Sequence, residues 1–127
     1  MKKIVYFADL IHNGTIQSID TFPLGVGFVA SYLMSKHKDV ECHIFKSPQD
    51  LNEALIDQLP DVMAFSNFTW NLNISIELAK YVKSVNKNIP IVFGGPNIPI
   101  PTDECEEFLK KYSVIDFYIK FDGEHAF

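Results

Sequence analysis

The sequence predicts an α/β fold in which a parallel sheet lies between two layers of helices. Short apolar segments alternate strictly with segments whose apolar residues recur at helical spacing along all 127 residues. Most of the strand segments are apolar on both sides, as in parallel strands that helices cover on both faces. Five such units predict a flavodoxin-like three-layer α/β/α sandwich with a five-stranded parallel sheet in the order 2-1-3-4-5.

The elements follow one another in a regular series. The predicted strands are 2–8, 40–45, 62–65, 89–93 and 115–121, and the predicted helices are 23–37, 48–58, 71–85 and 102–112. The second strand alternates polar and apolar residues, which favours a place near a sheet edge. Ser47 followed by Pro48 marks the start of one helix, and Thr102 is predicted to cap another. In the first helix, the residues at buried spacing are Val26, Val29, Ala30, Leu33 and Met34.

Composition excludes several classes of protein. The chain is 47% hydrophobic and carries a formal charge of −5, with 16 acids and 11 bases, so one domain with an ordinary core is expected. No large cluster of basic residues is present to bind nucleic acid. Cys42 and Cys105 are too few for a disulfide scaffold or a four-cysteine zinc site. No segment is long and apolar enough to cross a membrane, and we expect a cytoplasmic location.

The last residues predict the entry to another helix. Gly123 and Glu124 follow the fifth strand, and residues 125–127 would form the first turn of that helix. We therefore expect residues 1–127 to be the N-terminal domain of a longer chain.

Three loops are the candidate ligand-binding segments. In an open parallel sheet, ligands bind beyond the carboxyl ends of the strands, near the point where the strand order reverses. The loops at those ends are 9–22, 66–71 and 94–101. The first is long and polar, the second mixes hydroxyl, amide and aromatic side chains, and the third begins Gly94-Gly95-Pro96.

Each feature also has a purely structural interpretation. The two glycines can serve a turn, Ser66 can cap the following helix, and Asp9 can cap its loop. Trp70 suits packing as well as ligand contact, and His12 suits a solvated loop. At this point both interpretations of each residue stay open.

Four segments together resemble the cobalamin-binding domain that precedes the radical S-adenosylmethionine core in many bacterial and archaeal enzymes. They are FPLGVGFVASYL at 22–33, PDVMAFS at 60–66, IVFGGPN at 91–97 and IDFYIKFDGE at 115–124. The first is similar to the family pattern P-L-G-x-x-x-L-A-S-Y-L, and the last is similar to V-D-x-V-V-x-G-E-G-E. Their order and spacing agree over almost the whole chain.

The resemblance implies a corrinoid bound against the carboxyl ends of the strands. It places residues 66–69 and 94–96 along the buried nucleotide tail and the lower face of the corrin. The cofactor-binding residues expected on this basis are Asp9, His12, Gly14, Leu24, Gly25, Ser66, Asn67, Phe68, Thr69, Gly94, Gly95 and Pro96. Because only small side chains leave room there, we expect a bulky residue at Gly95 to abolish binding and leave the fold intact.

The first loop departs from the pattern of many cobalamin proteins. That pattern is Asp-x-His-x-x-Gly, in which the histidine ligates cobalt, whereas residues 9–14 read Asp-x-x-His-x-Gly. A shift of one residue moves a side chain by about 3.3 Å and turns it to the opposite side of an extended segment. We therefore expect no metal ligand in this chain, with His12 beside the cofactor and not on its cobalt.

The chain by itself is expected to catalyse nothing. It has no nucleophile–base set and no Cys-x-x-x-Cys-x-x-Cys motif. The resemblance implies that a [4Fe–4S] cluster and S-adenosylmethionine belong to a C-terminal radical domain of the parent chain, and it makes methyl transfer one expected activity of that chain. Two alternatives remain: a cofactor-free domain that acts as an interaction module and, more remotely, a degenerate receiver-like domain. A receiver needs an acceptor aspartate at the end of its third strand, where Ser66 stands here.

Overall fold

The computed structural model describes residues 1–11, 24–120 and 123–127, and it confirms the predicted architecture. The strands are β1 (Lys3–Ala8), β2 (Val40–Phe45), β3 (Val62–Ser66), β4 (Ile91–Gly94) and β5 (Phe117–Ile119). The helices are α1 (Leu24–Lys36), α2 (Pro48–Asp57), α3 (Leu72–Val85), α4 (Thr102–Lys111) and α5 (Gly123–Ala126).

The five strands form one parallel sheet in the predicted order β2-β1-β3-β4-β5. The alternating strand β2 lies at a sheet edge, as its pattern predicted. The switch in strand order falls between β1 and β3, whose carboxyl ends lead into the loops that start at Asp9 and Asn67.

Two aspartates extend the sheet at its amino edge. Asp61 donates its backbone N–H to Ile4 O at 2.8 Å and accepts the Ile4 N–H on its carboxylate, also at 2.8 Å. Asp116 makes the same pair of bonds with Ile91, at 2.9 and 2.8 Å. Each carboxylate thus satisfies a strand N–H at the amino edge of the sheet.

Helices cover both sides of the sheet. The larger core lies under α2, α3 and α4 and includes the fully buried Leu51, Met63 and Phe93. The smaller core lies under α1 and contains Val5, Phe7, Ala30 and Ala64. Within the described residues, no helix has the length and apolar character needed to cross a membrane.

Several local predictions need correction, and one is confirmed. Ser47 caps α2, since its Oγ accepts the Asp50 N–H at 3.3 Å. Thr102 is not a cap: the capping position of α4 is Pro101, and no side-chain bond closes that helix start. Met34 is 41% exposed because it lies off the stripe of α1 that packs on the sheet. Strands β4 and β5 are shorter than predicted, because Ile89 and Ile115 are buried without pairing in the ladder.

Candidate ligand-binding site

The register of the sheet places small residues side by side on the α1 side. One row of paired residues crosses the sheet as Ile44, Phe7, Ala64, Val92 and Phe117. The next row toward the carboxyl edge is Ser66, Gly94 and Ile119. Near this edge, the side chains of β3 and β4 on the α1 side are small, except for Val92. The surface of the sheet therefore has a depression there, between the larger side chains of Phe7 and Ile119.

This depression is one wall of a slot with a volume of about 280 Å³. Helices α1 and α5 form the opposite wall. The slot is lined by Phe7, Asp9, Gly25, Val26, Val29, Ala64, Phe65, Ser66, Phe68, Val92, Phe93, Gly94, Gly95, Ile119, Gly123 and Phe127. At Gly25 nothing lies within 4 Å of the position that a Cβ would occupy, so this residue opens onto free space.

A polar network closes the slot where β1 and β3 end. Ser66 Oγ donates to Asp9 Oδ1 at 2.6 Å and lies 3.4 Å from Asn71 Nδ2. Asn71 is fully buried, donates to Leu10 O at 3.2 Å and accepts the Phe68 N–H at 2.9 Å. The carboxylate of Asp9 retains acceptor capacity at the slot, because each of its oxygens can take more than one donor.

A second network holds the loop after β4. Asn67 is fully buried, and its Nδ2 donates to Asn97 O at 2.7 Å and to Tyr118 Oη at 3.1 Å. Tyr118 Oη in turn donates to Gly95 O at 2.8 Å. Burial raises the pKa of Tyr118, and the nearby Cys105 adds to that rise, while the bond from Asn67 lowers it. The neutral phenol therefore stays in place to fix the loop.

Gly94 and Gly95 have different roles. Gly95 has a φ of 124°, and a Cβ on it would lie 2.6 Å from Asn67 O. A Cβ on Gly94 would meet only Ile119 O at 3.5 Å, an ordinary contact. The prediction that a bulky residue at Gly95 leaves the fold intact is therefore wrong, because the backbone there needs glycine.

An aromatic pair lies beside the slot. The rings of Phe68 and Trp70 stack at 4.6 Å with an interplanar angle of 4°, and Trp70 remains 55% exposed. Phe68 lines the slot, whereas Thr69 is exposed. The pair presents a flat apolar surface at the carboxyl edge of the sheet.

The structure brings together about half of the predicted site residues. Those that line the slot are Asp9, Gly25, Ser66, Phe68, Gly94 and Gly95. Asn67 is buried behind the slot, and Pro96 faces a second groove with Ile98, Ile100 and Lys120. His12 and Gly14 lie outside the described residues, as does the side chain of Leu24.

Sequence reasoning missed the strand and helix residues of the slot. Ala64, Val92 and Ile119 belong to strands that were interpreted as core, and Gly123 and Phe127 were interpreted only as a helix start. The signal that identifies Ala64 is its size, since it is the smallest apolar residue of β3. In the described ranges, no three His, Cys, Asp or Glu side chains group closely enough to hold a metal ion.

Comparison with known proteins decides the family. A family model described as the B12 binding domain matches residues 18–127. The chain belongs to the B12-binding domain family. The match includes four of the five strands and every residue that lines the slot except Phe7 and Asp9.

Curated relatives of this B12-binding domain are much longer proteins. It is 29% identical over 112 residues to the cobalamin-dependent radical SAM methyltransferase TokK of Streptomyces tokunonensis, covering 83% of this chain and 16% of the relative. It is 26% identical over 130 aligned positions to the 2-(S-pantetheinyl)-carbapenam-3-carboxylate methyltransferase of Streptantibioticus cattleyicolor, covering 97% of this chain and 18% of the relative. The domain thus spans less than a fifth of either relative.

Solved structures confirm the fold. A cobalamin-binding protein from Desulfitobacterium hafniense DCB-2 superposes with a TM-score of 0.66 at 12% identity, covering 98% of this chain and 55% of that one. The BeF3-activated receiver domain DrrB superposes with a TM-score of 0.63 at 13% identity, covering 99% and 92%. The fold is therefore shared with receivers, and the family model separates the two classes.

Proposed function

We propose that this B12-binding domain holds cobalamin with the nucleotide tail of the cofactor in the slot. The observation that carries the proposal is the pair of small residues Ser66 and Gly94, which leaves space between the sheet and the wall formed by α1 and α5. The slot volume of about 280 Å³ is near the lower end of the range of roughly 300–1,000 Å³ for small-molecule pockets. It suits a ring-bearing tail better than a whole corrin.

The residues around the slot match the chemistry of such a tail. Apolar side chains from both walls would contact its aromatic base, and Asp9 and Ser66 would bond to polar groups near the mouth. The stacked pair of Phe68 and Trp70 offers an apolar surface to a macrocycle at the carboxyl edge. When bound, cobalamin supplies cobalt-centred methyl-transfer chemistry.

The reaction itself belongs to a longer protein in this proposal. We infer that residues 1–127 form its N-terminal domain, and that a radical SAM domain with a [4Fe–4S] cluster and S-adenosylmethionine follows. The names and lengths of the two methyltransferase relatives support this inference. In that protein, this domain positions the cofactor and contributes no catalytic residue.

An absorbance titration with hydroxocobalamin tests the proposal. The wild-type chain should shift the spectrum saturably, and Gly25→Leu should weaken binding at least about tenfold by filling the slot. Helix α1 should tolerate this change, since leucine has a higher helix propensity than glycine. Ser31→Leu is the matched control, because it adds the same side chain at an exposed position of α1 that does not line the slot.

The outcomes separate the alternatives. Equal affinity of the two variants would place the tail elsewhere on the domain. If the wild-type chain does not bind at all, the domain is a cofactor-free interaction module instead.

A further inference from the structure

The two edges of the sheet are protected to different degrees. Strand β5 forms one edge with only three residues, and the charged Asp116 and Lys120 flank it. Strand β2 forms the other edge with six residues, Val40–Phe45, which pair with β1 in continuous register. It carries no proline, lysine or bulge, which are the features that usually keep an edge strand from pairing with another chain. Strand β2 is therefore the edge that is open to a further strand.

The backbone groups of β2 that point away from β1 belong to alternate residues. The carbonyls of Asp39 and Phe45 accept backbone N–H groups from the β1 segment, at 2.7 and 2.8 Å. In a parallel ladder, alternate residues bond to the same neighbour, so the odd-numbered residues of this strand face β1. Val40, Cys42 and Ile44 therefore direct their N–H and C=O groups outward. No strand in the described ranges pairs with β2 on that side.

Two copies of β2 complement each other in one antiparallel register. A two-fold axis through Cys42 would place Val40 opposite Ile44 of the second copy and would pair the outward groups of all three residues. The same register places Glu41 opposite His43 of the second copy, on the α2 side of the sheet. Within one copy these two side chains bond at 2.8 Å, and nearly half of each is exposed. Each can therefore bond to the second copy without breaking a buried contact.

Other registers lack this match. A shift by two residues brings either Glu41 against Glu41 of the second copy or His43 against His43. The carboxylate–imidazole hydrogen bond is then lost, and like charges directly opposite destabilise a sheet. A shift by one residue leaves the outward N–H and C=O groups without partners. The sequence of β2 thus selects the register centred on Cys42.

Helix α1, which lies beside this edge, also lacks the charges of a typical surface helix. Its 13 residues include one charged side chain, Lys36, whereas six of the ten residues of α4 are charged. Val29 faces α5 and the slot, so Met34, on the opposite flank, faces the β2 edge. Because α1 lies over β1 and β2, two copies of it would be about two strand spacings of roughly 4.8 Å apart. That separation is within the range of about 8–10 Å for packed helices.

We propose that this chain forms a two-fold dimer through β2, which joins two five-stranded sheets into one. The occupant of the edge is a second copy, because β2 is complementary to itself in charge, in apolar residues and in hydrogen bonding. The dimer covers Ile44 and Met34, which are 38% and 41% exposed in one copy. Strand β2 does not line the slot, so the dimer and cobalamin binding are tested independently.

Sedimentation equilibrium of residues 1–127 measures the dimer directly. We expect a dissociation constant of about 1–100 µM for an interface of one pair of strands and one pair of helices. Glu41→His and His43→Glu each place like side chains opposite each other. Each should raise the constant about three- to thirtyfold, because every change acts at two places in a symmetric dimer. The double variant restores the pairing and should return to within about twofold of wild type. Glu106→His, at an exposed position of α4, is the matched control and should have no effect.

Cysteine cross-linking identifies the register. Residues 41 and 43 of the two copies would form a pair with Cα atoms about 4.5 Å apart, which a disulfide can bridge. In a Cys42→Ser background, the double variant Glu41→Cys/His43→Cys should form a covalent dimer on oxidation with diamide, and neither single variant should. Circular dichroism verifies that each variant is folded.

Three results would overturn the proposal. One is a wild-type chain that stays monomeric at millimolar concentration. Another is a dimer that neither Glu41→His nor His43→Glu weakens, since the contact then lies elsewhere on the domain. The third is a covalent dimer of either single cysteine variant, which would show a shifted register.

Discussion

Adjacent glycines should respond in opposite ways to the same substitution. Gly95→Ala forces a residue with a Cβ into a φ of 124°, which costs about 1–3 kcal/mol. The new Cβ would also lie 2.6 Å from Asn67 O. That carbonyl accepts the Asn97 N–H at 3.2 Å, so moving it sacrifices a bond worth about 1 kcal/mol. The total expected cost is roughly 2–4 kcal/mol.

Gly94→Ala should cost almost nothing. Its Cβ meets Ile119 O at an ordinary 3.5 Å, and replacing glycine stabilises by about 0.4–1 kcal/mol where the backbone allows it. Urea unfolding followed by circular dichroism measures both variants. With a slope of about 2 kcal/mol/M, Gly95→Ala should lower the midpoint by about 1–2 M, and Gly94→Ala should leave it unchanged or raise it slightly. Equal shifts would refute the division of roles between the two residues.

Three further predictions concern the edges of the sheet and the first loop. Asp116→Ala should destabilise by about 2 kcal/mol in urea unfolding and Asp61→Ala by about 1, because each variant loses a charged acceptor and the Asp116–Lys83 ion pair, at 2.6 Å, is shorter than the Asp61–Lys3 pair, at 3.5 Å. Burial raises the pKa of Tyr118, so the stability that the neutral phenol contributes is complete below about pH 10 and is lost as the pH rises further. Unfolding midpoints measured from pH 8 to 11 should therefore fall less steeply for Tyr118→Phe than for the wild-type chain. His12 should not ligate cobalt, so electron paramagnetic resonance of the cob(II)alamin-loaded protein should show no axial nitrogen splitting that His12→Ala removes.

The fold was predictable because periodicity reports which face of an element is buried. β2 alternates between polar and apolar residues, and it lies at an edge. α3 repeats apolar residues at helical spacing, and Ile76, Ala79 and Val82 are buried. Strand ends were less predictable: Ile89 and Ile115 are as buried as strand residues, but their backbones do not pair in the ladder. Hydropathy cannot distinguish a buried residue that pairs in the ladder from a buried residue that does not.

The slot was only half predictable because it depends on register. Glycine and serine at strand ends stand out in the sequence, and Gly94 and Ser66 indeed pair across the sheet. Ala64 and Val92 pair in the next row toward the centre of the sheet. Local sequence patterns do not indicate which residues of different strands become neighbours. Gly95 was misinterpreted for a related reason. Its positive φ and its contact with Asn67 arise from the loop that Asn97 and Tyr118 hold.

The segments that carry the family resemblance serve two edges of the sheet. Asp61 and Asp116, in the segments 60–66 and 115–124, accept hydrogen bonds from strand N–H groups at the amino edge, far from the slot. The same two segments continue through β3 and β5 to Ser66 and Ile119 at the carboxyl edge. A receiver domain shares the sheet, so the sheet alone cannot select a ligand. The residues at the carboxyl edge decide which ligand the domain binds. A receiver needs an acceptor aspartate there, whereas this chain has Ser66 paired with Gly94. A small hydroxyl there leaves space over the sheet, and that space is what a buried cofactor tail requires.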